Sequence, residues 1–444
     1  MSTASHLLIR QAHILLPTGE FLRGDVQIQD GRITEVASHI SLSDQDTPDR
    51  DIDASGLTLL PGVIDPQVHF REPGLEHKED LFTASCACAR GGVTSFLEMP
   101  NTKPLTTTQA ALDDKLERAS QKSLVNYGFF IGATSDNLAD LNQVQPTPGI
   151  KIFMGSSHGA LLVEDEAVLE RIFAHGDRLI AVHAEDQARI RERRKEFAGI
   201  TDPAIHSQIQ DNQAALSATQ LALRLSKTYQ RRLHILHLST ADEADLLRHD
   251  KPQWVTAEVT PQHLLLNTSA YETIGTLAQM NPPLRSPHDN AVLWQALLDG
   301  VIDFIATDHA PHTLDEKAKG YPHTPSGMPG VETSLALMLT QAMAGRCTVQ
   351  QVSHWMSTAV ANAYKIPNKG AIAPGYDADL VLVDLDTYRA VRRDDLLTKC
   401  GWSPFEGWKL TGWAAITIVG GQIAYENGRV NPETRGKALT FLNP

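Results

Sequence analysis

The sequence predicts a parallel (β/α)8 barrel, TIM-like, with a small composite β-sandwich built from the two chain ends. Three observations lead there. Eight short apolar runs recur between residues 57 and 310, helical-period segments separate several of them, and the two ends share a different, alternating pattern. Strand and helix in alternation point to a parallel sheet, and eight repeats point to closure. An open doubly wound sheet is the alternative, since strand counts from one sequence err easily.

The runs, in order, are "LTLLPGVIDPQVHF", "GVTSFLEMP", "VNYGFFIGAT", "GIKIFMGSS", "RLIAVHAED", "RLHILHLST", "WVTAEVTPQH" and "VIDFIATDHAP". Each is rich in Val, Ile, Leu or Phe and breaks into polar or turn residues, as a strand buried on both faces should. Between them lie amphipathic stretches such as "QAALSATQLALRLSKTY" from Gln213, apolar at spacings of three and four. "FTASCACARGG" reads as a small-residue helix face. Cys86 and Cys88 lack the second Cys pair of a soft-metal site, and four scattered cysteines make no disulfide framework. Residues 188–212, with "RIRERRKEF", read as a solvated helix and loop near the rim. Residues 6–56 show short strands with turns at "PTGE" and "QDGR", and residues 370–430 repeat that style in "GAIAPGYDADLVLVDLD" and "WAAITIVGGQIAYENGRV". The expected division is 1–60 plus 366–444 for the composite unit and 61–365 for the barrel.

Composition narrows the function. At 42% hydrophobic and 21% charged residues, the balance is that of an ordinary globular protein. A net charge of -14 opposes a nucleic-acid backbone as the main partner. A small anion remains admissible, because local Arg and His override the global sign. The opening "MSTASHLLIRQAHILLPTGE" has no basic leader followed by a long apolar core. No apolar run reaches the ~18 residues of a membrane span. A cytoplasmic protein acting on a small molecule is the expectation.

In a barrel of this kind chemistry collects where strands end and loops begin. The polar residues there are His69 and Arg71 after the first run, Asn101 after the second, Lys151 in the fourth, His183 in the fifth, His237 in the sixth, and Asp308 and His312 after the eighth. Singly, each has a plain structural use: a hydrogen-bonded His, a snorkelling Lys, a capping Asp. Jointly, three His, one Lys and one Asp delivered from five strands to one rim suit a borderline metal such as Zn2+. A protonated lysine would be repelled there. Burial near positive charge lowers a lysine's pKa and frees an amine able to add CO2, giving a carbamate that bridges two metals. Lys151 is therefore expected to be N-carboxylated.

"PGVIDPQVHFREPG", "MPNTKP", "GIKIFMGSS", "AVHAED", "ILHLSTADE", "VTAEVTPQHLLL", "MNPPLR", "ATDHAPH" and "SPFEGWKLTG" together resemble the dihydroorotases of the amidohydrolase superfamily. The resemblance spans almost the whole chain, including "GAIAPGYDADLVLVD". It implies metal binding by His69, Lys151 as carbamate, His183, His237 and Asp308. It also implies that Arg71, Asn101 and His312 hold a substrate carboxylate and that Asn281 contacts the ring. The implied reaction interconverts dihydroorotate and N-carbamoyl-L-aspartate in pyrimidine synthesis. There Asp308 takes a proton from the attacking water and passes it to the leaving nitrogen, while the cation polarises the amide carbonyl.

One position departs from the pattern. Gln67 stands where most relatives place the first His, and a neutral amide oxygen is a weaker zinc ligand than imidazole. Three readings follow: two metals with Gln67 as a weak ligand, one metal held by the carbamate, His183 and His237, or an inactive chain serving as a partner of aspartate transcarbamoylase. Retention of the other site residues favours activity. Hydantoinase or allantoinase chemistry is the enzymatic alternative, opposed by Arg71, Asn101 and His312. His158 in "GSSHG" reads as a surface loop residue, and Gln262 and His263 carry no assigned role. Gly155, Gly159, Gly327 and Gly330 are expected to give the rim loops freedom. A homodimer is the default assembly.

Overall fold

The computed structural model describes residues 6–42, 47–156 and 159–442; His158 lies outside them. Eight strand positions match the eight apolar runs: Val63–Val68, Val93–Glu98, Asn126–Phe129 continued by Ile131–Gly132, Ile150–Phe153, Ile180–His183, Leu233–Ile235, Val255–Val259 and Phe304–Ile305. Paired neighbours run parallel. The third position is interrupted at Phe130, so its first half pairs with the second strand and its second half with the fourth. The ring closes where Val68 bridges His309 and the His69 amide donates to the His309 carbonyl at 2.8 Å. That closure excludes the open doubly wound sheet.

Every residue of the first two strands is buried, which is why their sequences show runs rather than alternation. The stretch after Gln213 forms the helix Asn212–Tyr229, capped by Asp211 and burying Ala214, Ala215, Ala218, Ala222 and Leu225. Helix Leu81–Arg90 starts at an Asp80/Thr83 capping box and buries Cys86 and Cys88 as free thiols against the barrel. Among the described residues no helix is long and apolar enough to cross a membrane.

The two ends of the chain meet in one nine-stranded sheet. Thr58–Pro61 is the junction: it pairs in parallel with His13 and Ile14 on one side and antiparallel with Leu380–Val383 on the other. Ile9, Ile14, Val26, Ile28, Leu59, Leu380, Leu382 and Ile418 form an apolar cluster of their own beneath it, each worth ~1.5–3 kcal/mol when fully buried. Asp379 ties sheet to barrel. Its Oδ2 accepts from Asn126 Nδ2 at 3.0 Å on the third barrel strand, its Oδ1 accepts from the Gly420 amide at 2.7 Å, and the Lys369 ammonium pairs with it.

Two expectations need correction. Residues 188–212 are only half solvated: helix Gln187–Glu196 is mostly exposed, but Ile205, His206, Ile209 and Gln210 are buried, packing that segment back onto the rim. Three of the four rim glycines, Gly155, Gly327 and Gly330, serve close approach rather than freedom, whereas Gly159 (φ +68°) has open space around it. A Cβ on Gly155 would lie 2.2 Å from the Glu185 carbonyl, and one on Gly327 (φ +136°) would lie 2.5 Å from the Ala310 carbonyl.

Candidate active site

A cavity of about 90 Å³ opens at the loop end of the barrel strands, lined by Gln67, His69, Arg71, Asn101, Lys151, Phe153, Ser156, His183, His237, Asn281, Asp308, Ala310, Ser326 and Gly327. Nine of the ten residues singled out from sequence line it; His312 stands behind Arg71 instead. A wider depression of about 810 Å³ on the terminal sheet is lined by the already paired Arg50 and Glu426 and by no histidine.

Short strands followed by sharply turned loops bring these side chains together. Arg71 (φ 71°), His237 (φ 37°) and Asp308 (φ 46°) all sit in left-handed backbone, which costs about 1–3 kcal/mol per non-glycine residue and persists only where neighbours enforce it. The neighbours are identifiable. Buried Asp65 accepts from the Thr307 amide (3.2 Å), the Thr307 hydroxyl (2.6 Å) and the Gln67 amide (3.3 Å), clamping the first strand to the last. Burial raises the Asp65 carboxyl to about 7, against the pull of those bonds. The Leu238 amide donates to the Glu258 carbonyl at 2.7 Å beside His237. Arg71 Nε donates to the Pro311 carbonyl at 3.0 Å.

The donor groups fall into two pairs. His183 Nε2 donates to Glu185 Oε2 at 2.7 Å, which leaves Nδ1 as a lone-pair nitrogen 2.9 Å from His237 Nε2. On the other side His69 Nε2 lies 3.1 Å from Asp308 Oδ1, and His69 Nδ1 lies 2.7 Å from Asn101 Oδ1. Gln67 Nε2 donates to the same Asp308 oxygen at 3.2 Å. Lys151 is 1% exposed, so snorkelling is ruled out, and its Nζ lies 4.4 Å from the centroid of the Phe153 ring. Burial lowers it to about 7, partly opposed by Asp308 and Glu258. Burial also keeps His69 and His237 below the ordinary imidazole value, His237 further because His183 and Lys151 are close. Both shifts favour the neutral form of the ring, the form that can ligate.

Among the described residues no three His, Cys, Asp or Glu side chains are grouped to hold a metal ion. The set is two plus two, and a further ligand is needed to join the pairs. Lys151 Nζ, Gln67 Oε1 and His237 Nδ1, atoms of three residues that line this cavity, are buried without hydrogen-bond partners, an arrangement natural proteins rarely tolerate without purpose. A borderline cation and a carboxylated Lys151 fit that donor set.

Sequence reading missed the supporting residues. Glu185, two positions after His183, orients that ring; it also accepts from the Ser156 hydroxyl at 2.6 Å. With the Gln210 amide turned to satisfy both its ends, Gln210 bridges Glu185 at 3.0 Å and Asn281 Oδ1 at 3.1 Å. Asn281 is placed in turn by His206 at 2.8 Å. Glu98, paired with Lys115 at 2.7 Å in full burial, accepts from the Phe70 amide at 3.0 Å beneath Arg71. A carboxylate close in sequence to a candidate ligand was the available signal for Glu185; nothing local marks Gln210 or His206.

Comparison with known proteins agrees with this geometry. The Amidohydrolase family model matches residues 58–424. A dihydroorotase of Methanosarcina mazei is 36% identical over 434 residues, 94% of this chain and 93% of the relative. A dihydroorotase of Bacillus subtilis is 33% identical over 434 residues, 95% of this chain and 99% of the relative. Among solved structures, an L-hydantoinase (dihydropyrimidinase) from Arthrobacter aurescens superposes with a TM-score of 0.92 at 30% identity, covering 99% of this chain and all of that one. With its barrel, its rim of His, Lys and Asp, and these relatives, the chain belongs to the amidohydrolase family, a hydrolase of cyclic amides.

Proposed function

We propose that this protein is a zinc-dependent dihydroorotase, closing N-carbamoyl-L-aspartate to dihydroorotate and water, and reopening it. The observation that carries the reading is Arg71 and Asn101 lining the same small cavity as His69, Lys151, His183, His237 and Asp308. An arginine fork matches a carboxylate, and a hydantoin ring offers none. The relatives named dihydroorotase support the same choice.

The residues that would hold Zn2+ are His69, His183, His237, Asp308 and a carbamate on Lys151, with Gln67 Oε1 as a weaker oxygen. One or two ions per subunit fit this set. Zinc supplies an activated water and polarises the scissile carbonyl. The chain's own residues do the rest. Asp308, bonded to Gln67 and beside His69, holds the proton in transit between water and ring nitrogen. Arg71, Asn101 and His312 take the carboxylate, and Asn281, braced by His206 and Gln210, meets the ring. Phe153 and Ala310 supply apolar wall that keeps bulk water out.

In the same reading, residues 1–60 plus 366–444 form a separate β-sandwich domain beside a barrel of residues 61–365, and the enzyme is a cytoplasmic homodimer. The hydantoinase-like alternative rests on the L-hydantoinase superposition; the third reading is an inactive chain partnering aspartate transcarbamoylase. One experiment separates them: metal content by elemental analysis, native intact mass for one added CO2, and turnover of dihydroorotate, hydantoin and allantoin. Zinc, added CO2 and preference for dihydroorotate are expected. Preference for hydantoin, or stoichiometric zinc without turnover in either direction, would sink the proposal.

A further inference from the structure

His312 is the one predicted substrate residue outside the cavity wall, and its surroundings determine which of its nitrogens carries a proton. Lys78 Nζ lies 3.0 Å from His312 Nδ1. An ammonium only donates, so Nδ1 is the acceptor. Independently, Nε2 lies 3.0 Å from the Ser326 carbonyl, which only accepts, so Nε2 is the donor. Two neighbours on opposite edges of the ring demand the same tautomer. Arg71 Nη2 lies 3.3 Å from that Nε2, and two N–H groups cannot satisfy each other. What both can share is an acceptor.

We propose that Lys78 is a positioning residue that holds His312 as its Nε2–H tautomer, so that His312 and Arg71 offer two adjacent donors to the ligand's carboxylate. The carboxylate part rests on the dihydroorotase reading. Ser326, whose carbonyl accepts from Nε2–H, lines the cavity together with Arg71, so a carboxylate seated at that edge would share or replace this carbonyl as the acceptor of the same N–H. Trp402 Nε1 fixes the backbone beneath the ring by donating to the His312 main-chain carbonyl at 2.8 Å, and the ring packs so near Gly327 that a Cβ there would lie 3.1 Å from His312 Cδ2. Burial, followed by the charges of Arg71, Lys78 and Lys317, keeps the imidazole well below its ordinary pKa. A neutral ring has one N–H, and its position matters.

Glu316 makes the role specific. Its Oε1 pairs with Lys78 at 3.1 Å, and its Oε2 stands 3.7 Å from His312 Nδ1, too far to bond. Without Lys78 the charged group left facing Nδ1 is this carboxylate, which accepts. The proton would then move to Nδ1, and the Nε2 lone pair would face the substrate's anion.

The test uses the whole enzyme labelled with 15N-histidine, the His312 signal being assigned by its loss in His312→Gln. Wild type should show Nε2–H. Lys78→Met should shift the ring toward Nδ1–H and raise KM for dihydroorotate about tenfold, the loss of one charge-assisted bond, with kcat within about twofold. Lys78→Arg should keep both the tautomer and KM. A wild-type ring in the Nδ1–H or imidazolium form overturns the proposal, as does a Lys78→Met protein in which one readout changes without the other. Should that variant not fold, the wild-type and Lys78→Arg signals decide. A wild type that leaves dihydroorotate untouched overturns the functional reading instead, and the ligand-free imidazole signal still decides the tautomer.

Discussion

His183 and Glu185 face each other at the end of the fifth barrel strand, Nε2 to Oε2 at 2.7 Å, and this bond turns Nδ1 of the same ring to within 2.9 Å of His237 Nε2. Carboxylate, imidazole and open nitrogen follow in series, so the carboxylate sets both tautomer and aim. Glu185→Gln keeps the size and loses the charge. Chelator competition should find zinc held about 10–100-fold more weakly, with the fold intact by circular dichroism; unchanged zinc affinity would show that Glu185 does not orient the ligand.

Lys151 is a buried amine without a hydrogen-bond partner. Leaving such a group in the core costs about 1–3 kcal/mol. Lys151→Met, stripped of metal and CO2, should therefore be more stable than the equally stripped wild type by about that amount, while losing all turnover. Urea unfolding of the two apoproteins measures it, and equal midpoints would argue that the lysine is satisfied in the apo state.

Gln67 offers one oxygen without a partner and one amide nitrogen committed to Asp308 at 3.2 Å. Gln67→His exchanges a weak oxygen donor for imidazole. Zinc released on dialysis against chelator should fall roughly tenfold. A variant that loses zinc faster would mean the amide's bond to Asp308 matters more than its oxygen.

Asp308 carries the proton in the proposed reaction. Asp308→Asn should lower kcat by about 10²–10⁴, the usual range for a positioned acid–base group. Arg71→Met should lower kcat/KM for dihydroorotate roughly 10²-fold, from about 2–3 kcal/mol of charged hydrogen bonding, and should leave any residual hydantoin turnover unaffected. Parallel assays on both substrates separate these effects.

Lys369 pairs with Asp377 and Asp379 within the terminal segment, where Asp379 also accepts from Asn126 of the barrel. Burial pulls its pKa down, but the two carboxylates outweigh that and hold it above the ordinary lysine value of 10.5. A raised folded-state pKa means the unfolded chain releases its proton first. The stabilisation is therefore complete below 10.5 and is lost as pH rises through the folded value. Lys369→Met leaves Asp379 buried and unpaired and should cost about 3–5 kcal/mol near neutral pH. The difference from wild type should shrink in strongly alkaline buffer; a pH-independent difference would assign the loss to packing.

The barrel was legible because its physics is local and repetitive: a strand buried on both faces must be apolar along its length, and eight such runs with helical spacers leave few topologies. The strand-end positions of His69, His183, His237 and Asp308 followed from the same register, since a short parallel strand delivers its C-terminal residues to one rim. Chain order carried no information about what stands behind those residues. Gln210 reaches Glu185 from a segment that reads as solvated surface, because a charged helix hides a buried continuation from any composition argument. His312 looked equivalent to Arg71 on its loop, yet Lys78, 234 positions away, sets its tautomer. Residue types and their spacing determined the fold and which side chains gather at one rim; directed hydrogen bonds between distant segments, visible only once the chain has closed on itself, decided how those side chains are oriented.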